Sequence, residues 1–222
     1  MSNFDDPDAV ARYAQGPLMM VPGLHDLHKM TRLLLAEATP ADGHILVLGA
    51  GGGMELAAFA TAEPGWTFTG VDPSAEMLSL ATRTLGPNAP RATLIEGYID
   101  SAPPGPFDGA TCLLTLHFLP REERLATLRA LYDRLKPGAR LVTAHHSIPE
   151  DQKTLWLTRF AAFAQSNGLP ADKAAAIIPG LATKLPTLSP KEDADLLREA
   201  GFTDISLFYA ALTFRGWTAT KP

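Results

Sequence analysis

Four glycines and one aspartate are the residues of this sequence whose types and spacing best suit ligand binding. Gly49 and the glycines at 51–53 follow an apolar run, and Asp72 ends the next apolar run. Because glycine has no Cβ and tolerates positive φ, a polar ligand can approach the main-chain N–H groups of such a turn, where a helix begins. An acid at the tip of the following strand can accept hydrogen bonds from two ribose hydroxyls, although it could instead cap the next helix. The pattern predicts a nucleoside site.

The spacing of the glycines disfavours two common nucleotide sites. A dinucleotide fingerprint, G-x-G-x-x-G, would need glycine at position 54 or 56, where the sequence has Met54 and Leu56. A Walker motif would need Gly-Lys-Ser/Thr after the turn, and none follows. NAD, FAD and a P-loop nucleotide are therefore disfavoured, and the pattern Gly49-x-Gly51-x-Gly53 remains.

The segments around these residues predict alternating strands and helices. The unbroken Ile-Leu-Val-Leu run at 45–48 lacks the alternation of a half-solvated strand, so we expect a central strand that is covered on both faces. A helix over Met54–Ala62 and a strand over 66–71 follow. The other predicted elements are strands at 93–95, 109–114, 140–144, 205–210 and 212–218, and helices at 25–39, 121–135, 171–178 and 193–200.

Five segments in this order and spacing resemble the class I S-adenosylmethionine-dependent methyltransferases: VLGAGGG, GVDPSAEML, EGYI, FDGATCLLTLHFL and LKPGARLV. The resemblance runs from about residue 45 to 217. It implies an α/β, Rossmann-like fold with a mostly parallel seven-stranded sheet, a C-terminal antiparallel hairpin and helices on both faces. It also implies S-adenosylmethionine as the cofactor and methyl transfer as the reaction.

The resemblance implies which residues contact this cofactor. Many relatives carry an acid where this chain has Tyr98, so we expect its ring to stack on or cover the adenine. The expected cofactor residues are Gly49, Ala50, Gly51, Gly53, Asp72, Pro73, Met77, Tyr98, Ile99, Leu113 and Leu114.

Three further segments are similar to the carboxy-S-adenosylmethionine synthases of tRNA wobble-uridine modification: VPGLHDLHKM, TLHFLPREERLATLRALYDRLKPG and GFTDISLFYAALTFRGWTATK. Those enzymes hold an additional carboxylate with an arginine before the last helix, whereas residues 182–187 of this chain offer only Lys184. Val47 is a second departure, because many relatives have an acid there that fixes the cofactor's amino group. Glu55 could compensate, or could serve as a helix N-terminal charge.

Three functional hypotheses follow. The first is a methyltransferase for a small, partly apolar acceptor that lies under the segment 151–185. The second is a carboxy-S-adenosylmethionine synthase. The third is a non-catalytic protein that binds the cofactor or a partner, which the changes at Val47 and Tyr98 would allow.

No residue pattern identifies a catalytic base. Histidines 145 and 146 end a predicted strand, and the carboxyl edge of a parallel sheet is where functional residues gather. Candidates for proton transfer are His146, His117 and Tyr13. By the resemblance, Tyr13 and His28 could face the methionine end of the cofactor or the substrate. Alternatively, Tyr13 merely packs in the protein and His28 is solvated. A metal site is disfavoured, because adjacent strand residues point to opposite faces and no third ligand is evident.

Composition limits the cellular setting and the partners. The 222 residues carry a formal net charge of -5, which disfavours extended nucleic-acid contacts and favours a small-molecule substrate. No apolar run approaches ~18 residues and no secretory pattern opens the chain, so we expect no membrane association. A single cysteine, Cys112, suits core packing and a cytoplasmic location. The oligomeric state stays open, with a homodimer as one option.

The order of these elements predicts the domain organisation. We expect an N-terminal helical cap at 1–43 and a methyltransferase domain at 44–222. A helical insertion at about 151–185 interrupts the methyltransferase domain after its fifth strand.

Overall fold

A computed structural model describes residues 15–222, apart from the side chains of Gln15 and Lys184. Tyr13, one of the candidates for proton transfer, lies outside the described residues. Within the described range seven strands form one sheet: β1 (His44–Leu48), β2 (Thr67–Asp72), β3 (Ala92–Glu96), β4 (Phe107–Leu113), β5 (Leu135–His146), β6 (Thr203–Ala211) and β7 (Phe214–Thr220).

The strands are arranged in the order β3-β2-β1-β4-β5-β7-β6. Strands β1 to β5 are parallel, whereas β7 runs antiparallel to both of its neighbours. From β1 the chain builds one side of the sheet through β2 and β3 and then returns to build the other side from β4. The carboxyl ends of β1 and β4 therefore flank a topological switch point, where open α/β sheets form their ligand crevice. This arrangement confirms the predicted fold class.

Helices lie on both faces of the sheet. Those that the structure describes are α1 (Gln15–Met20), α2 (Leu24–Ala36), α3 (Met54–Ala62), α4 (Ala75–Leu85), α5 (Arg121–Arg134), α6 (Lys153–Ser166), α7 (Ala171–Lys184) and α8 (Pro190–Glu199). Within residues 15–222, none of them combines the length and the hydrophobicity that crossing a bilayer requires.

Strand β1 shows why its sequence has no polar alternation. Ile45 and Val47 belong to a core cluster with α2 and α3, whereas Leu46 and Leu48 belong to a second cluster with α5 and α8. Successive side chains of a strand point to opposite faces, so a strand with helices on both sides needs apolar residues at every position. The prediction of a central strand covered on both faces is confirmed.

Strand β5 is longer than the sequence predicts. We expected Lys136-Pro137-Gly138 to separate the preceding helix from a strand at 140–144, but the strand already begins at Leu135. Leu135 pairs with Phe107 across a register shift in β4, and the Gly138 amide donates to the carbonyl of Lys221. These partners are remote in sequence, so no local pattern could reveal them. Lys136-Pro137-Gly138 correctly predicted the end of the helix but not the start of the strand.

Two helices also differ from their predicted bounds. The sequence pattern predicted that helix α7 ends at residue 178, but the helix continues through Pro179 to residue 184. Helix α8 begins at Pro190, with a capping box in which Ser189 accepts from the Glu192 amide and the Glu192 carboxylate accepts from the Ser189 amide. This cap confirms the predicted role of Ser189.

Candidate functional site

A cavity of about 950 Å³ lies at the carboxyl ends of β1, β2 and β4. All of the predicted cofactor residues except Gly53 line its wall. They come from the glycine turn after β1, the tip of β2, the turn after β3 and the end of β4. The fold thus brings together residues that are far apart in sequence, at the edge of the sheet where the pattern placed them.

The glycine turn is shaped by close packing at Gly49. This residue has a φ of 78°, and a Cβ there would lie 2.0 Å from the Thr115 hydroxyl oxygen. The amides of Gly49 and Ala50 donate to the Val71 carbonyl, and the Gly51 amide donates to Asp72. Because these three amides are already paired inside the protein, the turn offers a ligand close approach rather than these particular donors.

Gly53 serves helix packing instead of the cavity. It precedes α3 with a φ of 80°, and a Cβ there would lie 2.7 Å from the Cα of Ala81 in α4. Since this neighbour is backbone, it cannot rotate away. The glycine at this position allows α3 and α4 to approach each other, so its place in the motif has a structural reason without any ligand contact.

The Asp72 carboxylate links the tip of β2 to the glycine turn. Its Oδ2 accepts from the Gly51 amide at 2.9 Å, and its Oδ1 accepts from the Ser74 amide at 3.0 Å. Burial raises the pKa of Asp72, and the two amides partly offset the rise. Each carboxylate oxygen retains acceptor capacity, so the side chain can brace the turn and still meet hydroxyl groups in the cavity.

Glu55 is a buried acid on the cavity wall. It is 7% exposed, and its Oε1 is shielded from solvent. Burial raises the pKa of Glu55 to about 7, and the hydroxyl of Thr111, with which it hydrogen-bonds, opposes the rise. Val47, where the resemblance implies an acid in many relatives, is fully buried in the core and does not line the cavity. Strand β1 therefore supplies no acid to this wall, whereas α3 supplies Glu55.

The wall near β3 and β4 combines buried apolar side chains with one exposed ring. Tyr98 is 70% exposed, whereas Met77 and Ile99 are buried. Leu114 follows β4 with a φ of 57°, a conformation that costs a leucine energy, and its amide donates to the Ala144 carbonyl. The chain is thus held in a strained turn where β4 meets the cavity.

Neither His117 nor His146 lies on the cavity wall. Both are buried: the His146 main-chain amide donates to Nδ1 of His117, and the His146 ring stacks on Phe214 at 4.1 Å. Burial lowers the pKa of His146 to about 3 and holds that of His117 well below its usual range. Both imidazoles are therefore neutral packing groups behind the site. Within the described chain, no three His, Cys, Asp or Glu side chains gather as a metal site.

His28 is the imidazole that the structure does bring to the cavity. It lies on α2, is 6% exposed and lines the wall near Pro17 and Leu24. Burial, together with His25, lowers the pKa of His28 to about 4, so the ring is neutral at physiological pH. The resemblance to methyltransferases, whose N-terminal segment often folds over the cofactor pocket, was the signal that pointed to this residue. In α2, His28 is buried together with Leu24 and Leu27.

Residues 151–185 do not contribute to this wall. Instead, Phe160 of α6 packs against His146 and Phe214, and Asn167 donates to the Met19 carbonyl at 2.9 Å. The segment therefore supports α1, which supplies Pro17 to the wall, where we had expected a roof over the site. Lys184 is the basic residue of 182–187, and its side chain lies outside the described residues.

A buried polar network behind the site could not be read from the sequence. Arg124 of α5 forms an ion pair with Asp193 of α8 and donates to the Pro186 carbonyl, and His145 Nε2 lies 3.2 Å from Asp193. Although burial opposes ionisation, His145 and Arg124 hold the pKa of Asp193 below its usual range. The network joins β5, α5 and α8 and therefore fixes the edge of the fold next to the site.

Comparisons with known proteins agree with this geometry. A family model described as a methyltransferase domain matches residues 46–141. A carboxy-S-adenosyl-L-methionine synthase from Chromohalobacter salexigens is 31% identical over 228 residues, which cover 100% of this chain and 84% of that protein.

Solved structures share the fold at low sequence identity. An O-methyltransferase family protein from Burkholderia thailandensis superposes with a TM-score of 0.64 at 17% identity, over 97% of this chain and 58% of that one. Human N-acetylserotonin methyltransferase, solved in complex with SAM, superposes with a TM-score of 0.64 at 17% identity, over 98% of this chain and 57% of that one. The chain therefore spans less than two thirds of either neighbour.

Proposed function

The chain belongs to the family of S-adenosylmethionine-dependent methyltransferases, and from this premise we propose that it methylates a small, partly apolar acceptor that is not an anion. Its cofactor is S-adenosylmethionine. The observation that carries the proposal is one continuous cavity of about 950 Å³. This volume lies near the upper end of the ~300–1,000 Å³ of small-molecule sites, which leaves room for a second small ligand beside a nucleoside.

The residues around the cavity fit the two ends of the cofactor. Asp72 offers acceptor capacity for ribose hydroxyls, and Gly49 lines the cavity beside it. Glu55 adds a buried acid to the same wall. When bound, S-adenosylmethionine supplies an activated methyl group, so no residue has to activate it.

The remaining wall favours the acceptor that we propose. Pro17 and Leu24 give an apolar surface on the side of α1 and α2, and His28 adds a neutral imidazole beside them. Among the described residues that line the cavity, none is a lysine or an arginine, whereas Glu55, Asp72, Asp100 and Glu123 are acids. An anionic acceptor would meet no cationic side chain among these residues, because the charged side chains that line the space are acids.

The protein then contributes alignment and exclusion of water. Holding the nucleophilic atom of the acceptor in line with the methyl group is worth ~7–11 kcal/mol when the geometry is close to that of attack. His28 can accept a hydrogen bond from an O–H or N–H group of the acceptor and so orient it. A base with a pKa of about 4 is weak, so this role is one of positioning.

A second candidate is synthesis of carboxy-S-adenosylmethionine. The 31% identity to a synthase of that kind over the whole chain favours it. Against it stands the chemistry of the wall, because a carboxylated cofactor carries an additional anion that the described lining residues do not match with a lysine or an arginine.

Mass spectrometry of ligand extracted from the purified protein separates the two candidates. We expect S-adenosylmethionine or its demethylated product, followed by methyl transfer to neutral phenols, thiols or amines in a screen that also contains carboxylates. Co-purified carboxy-S-adenosylmethionine, or turnover confined to carboxylate acceptors, would contradict the proposal. The same screen run without protein controls for uncatalysed methylation.

A further inference from the structure

The cavity continues along α5, beyond the carboxyl ends of the strands. The residues of α5 that line it recur every three or four positions and so share one helix face: Glu123, Ala126, Thr127 and Ala130. They cover about 10 Å of the helix axis. Ile99 and Asp100, from the turn after β3, line the cavity as well and lie next to α5. We call the space between this turn and α5 the α5 compartment.

The α5 compartment has small walls and a closed end. Its helix wall has only a methyl group at positions 126 and 130, and Ala126 is exposed, so no described side chain covers it. Beyond Ala130, Arg134 donates to the carbonyls of Ala130 and Ala102 and so joins α5 to the segment after β3. The compartment is therefore a short extension of the cavity and not an open groove.

Thr127 supplies an unused hydroxyl to this compartment. The residue is 9% exposed, and its side chain forms no hydrogen bond within residues 15–222. Threonines of three other helices, Thr61, Thr82 and Thr158, instead donate to the carbonyl four residues earlier. The Thr127 oxygen is not shut off from solvent, so the small surface that this residue exposes faces the cavity that it lines. A nearly buried hydroxyl without a protein partner is suited to a hydrogen bond with a ligand.

The charges of the α5 compartment limit the ligand group that it can hold. Asp100 and Glu123 are exposed acids, and among the described residues no lysine or arginine lines the cavity. An anionic group would therefore be repelled. Ile99, Ala126 and Ala130 offer apolar contacts, so a short neutral chain with a polar end fits best.

The position of Asp72 indicates which part of an adenosyl ligand reaches this compartment. In the proposed function this acid, at the tip of β2, binds the ribose. Strand β3 lies beside β2 on the side away from β1, and the turn after β3 supplies Tyr98 and Ile99, whose apolar surfaces suit the faces of an adenine. Adenine is joined to the ribose through N9. Its opposite edge, which carries N6, then points away from Asp72 and towards α5.

We propose that the α5 compartment accepts a short neutral substituent on N6 of an adenosyl ligand, an inference that rests on the proposed use of this cavity for the cofactor. Ala126 and Ala130 leave room for the chain of the substituent, and Thr127 forms a hydrogen bond with its polar end. S-adenosylmethionine itself leaves the compartment to solvent. The protein therefore tolerates modified adenines that a closed wall would reject.

Titration calorimetry with four ligands tests the proposal: S-adenosylhomocysteine and its N6-propyl, N6-(3-hydroxypropyl) and N6-(2-carboxyethyl) derivatives. We expect the propyl derivative to bind within about threefold of the parent, and the hydroxypropyl derivative about 3- to 10-fold more tightly than the propyl one, the scale of one hydrogen bond. The carboxyethyl derivative should bind most weakly, because of the two acids. A loss of more than about tenfold for the propyl derivative overturns the proposal.

Ala126→Leu should fill the α5 compartment. The position is an exposed one on a helix, where leucine is well tolerated, so we expect the variant to fold. Affinity for the propyl derivative should fall by about tenfold or more, whereas that for the parent should not change. Glu122→Leu adds the same side chain to α5 outside the cavity and should alter neither affinity. Equal losses for both ligands in Ala126→Leu contradict the proposal, because they would place the adenine itself against α5.

Thr127→Val removes the hydroxyl and keeps the shape of the side chain. It should abolish the advantage of the hydroxypropyl derivative over the propyl one, while the affinity for the propyl derivative stays the same. An undiminished advantage overturns the role of Thr127. If the unchanged protein binds the parent but none of the derivatives, only this inference fails. If it binds none of the four ligands, the proposed function fails and this inference with it.

Discussion

The main-chain amide of Gly51 donates a 2.9 Å hydrogen bond to Oδ2 of Asp72, so one carboxylate fixes the glycine turn after β1 to the tip of β2. The other oxygen accepts from the Ser74 amide and fixes the start of α4. An acid that would bind a ribose therefore also holds the turn on which the nucleoside rests. Stability and binding should thus change together at this position.

Replacing Asp72 tests both roles. For Asp72→Ala we expect cofactor affinity to fall by roughly 1.5–3 kcal/mol, the scale of hydrogen bonds to a charged group, together with a lower melting temperature. Calorimetry with S-adenosylhomocysteine and a thermal melt of the free protein measure the two effects. This change should weaken binding of 5′-methylthioadenosine as well, because that nucleoside keeps the ribose hydroxyls. Unchanged affinity would reject the ribose assignment.

Gly49→Ala should destabilise the free protein. The new Cβ would lie 2.0 Å from the Thr115 hydroxyl oxygen, at a φ of 78° that alanine tolerates poorly. We expect a loss of about 1–3 kcal/mol in the free energy of unfolding, measured by urea titration. The double variant with Thr115→Ala should recover part of this loss, because the clash disappears while the strain of the turn remains. Additive effects of the two changes would show that the contact is unimportant.

Breaking the buried network at Asp193 should cost far more than breaking a surface pair. Asp193→Asn leaves Arg124 without its buried counter-ion, and we expect a loss of about 3–5 kcal/mol in the free energy of unfolding. The control Asp195→Asn removes an exposed acid that pairs with Lys191, and it should leave stability nearly unchanged. Similar effects of the two substitutions would contradict the assignment of the network.

The same network predicts an acid limit to stability. The pKa of Asp193 is lowered from an ordinary value of 3.8, so its contribution is fully present above that value and is lost as the pH falls through the folded pKa. The unfolding free energy of the unchanged protein should therefore decrease in the acid range. The decrease should be smaller in Asp193→Asn, and equal slopes in the two proteins would contradict this attribution.

His28 should position the acceptor without titrating in the working range. Because burial lowers its pKa to about 4, methyl transfer should show no step from this group between about pH 6 and 8. For His28→Gln we expect a roughly 3- to 10-fold lower kcat/KM with a hydroxyl acceptor from the screen, which is the scale of one hydrogen bond. His25→Gln, on the same helix, is the matched control and should keep full activity. A pH-dependent step that is present in the unchanged protein and lost in His28→Gln would instead indicate proton transfer.

The sequence predicted the elements best where local pattern and burial agree. The apolar run at 45–48 and the glycine turn required a covered strand and a tight turn, and the structure has both. The early start of β5 depends on the pairing of Leu135 with Phe107, which no local pattern reveals.

The site was harder to predict because side-chain direction depends on tertiary packing. His117 and His146 follow strand ends at the correct edge of the sheet, yet their rings turn into the core formed with Phe160 and Phe214. Gly53 belongs to the glycine motif but is needed for the approach of α3 to α4. The burial of Glu55 on the cavity wall is visible only once the fold is known.

The hydrogen bond from Asn167 to the Met19 carbonyl has a consequence for how related proteins diverge. The loop after α6 contacts the short helix α1, and Pro17 of α1 lines the cavity. The described residues of 151–185 do not line the cavity themselves. Changes in the length or sequence of residues 151–185 would move α1, and with it the acceptor side of the cavity, without altering any residue that contacts a ligand. New acceptor preferences could then evolve through substitutions that a survey of pocket residues would miss.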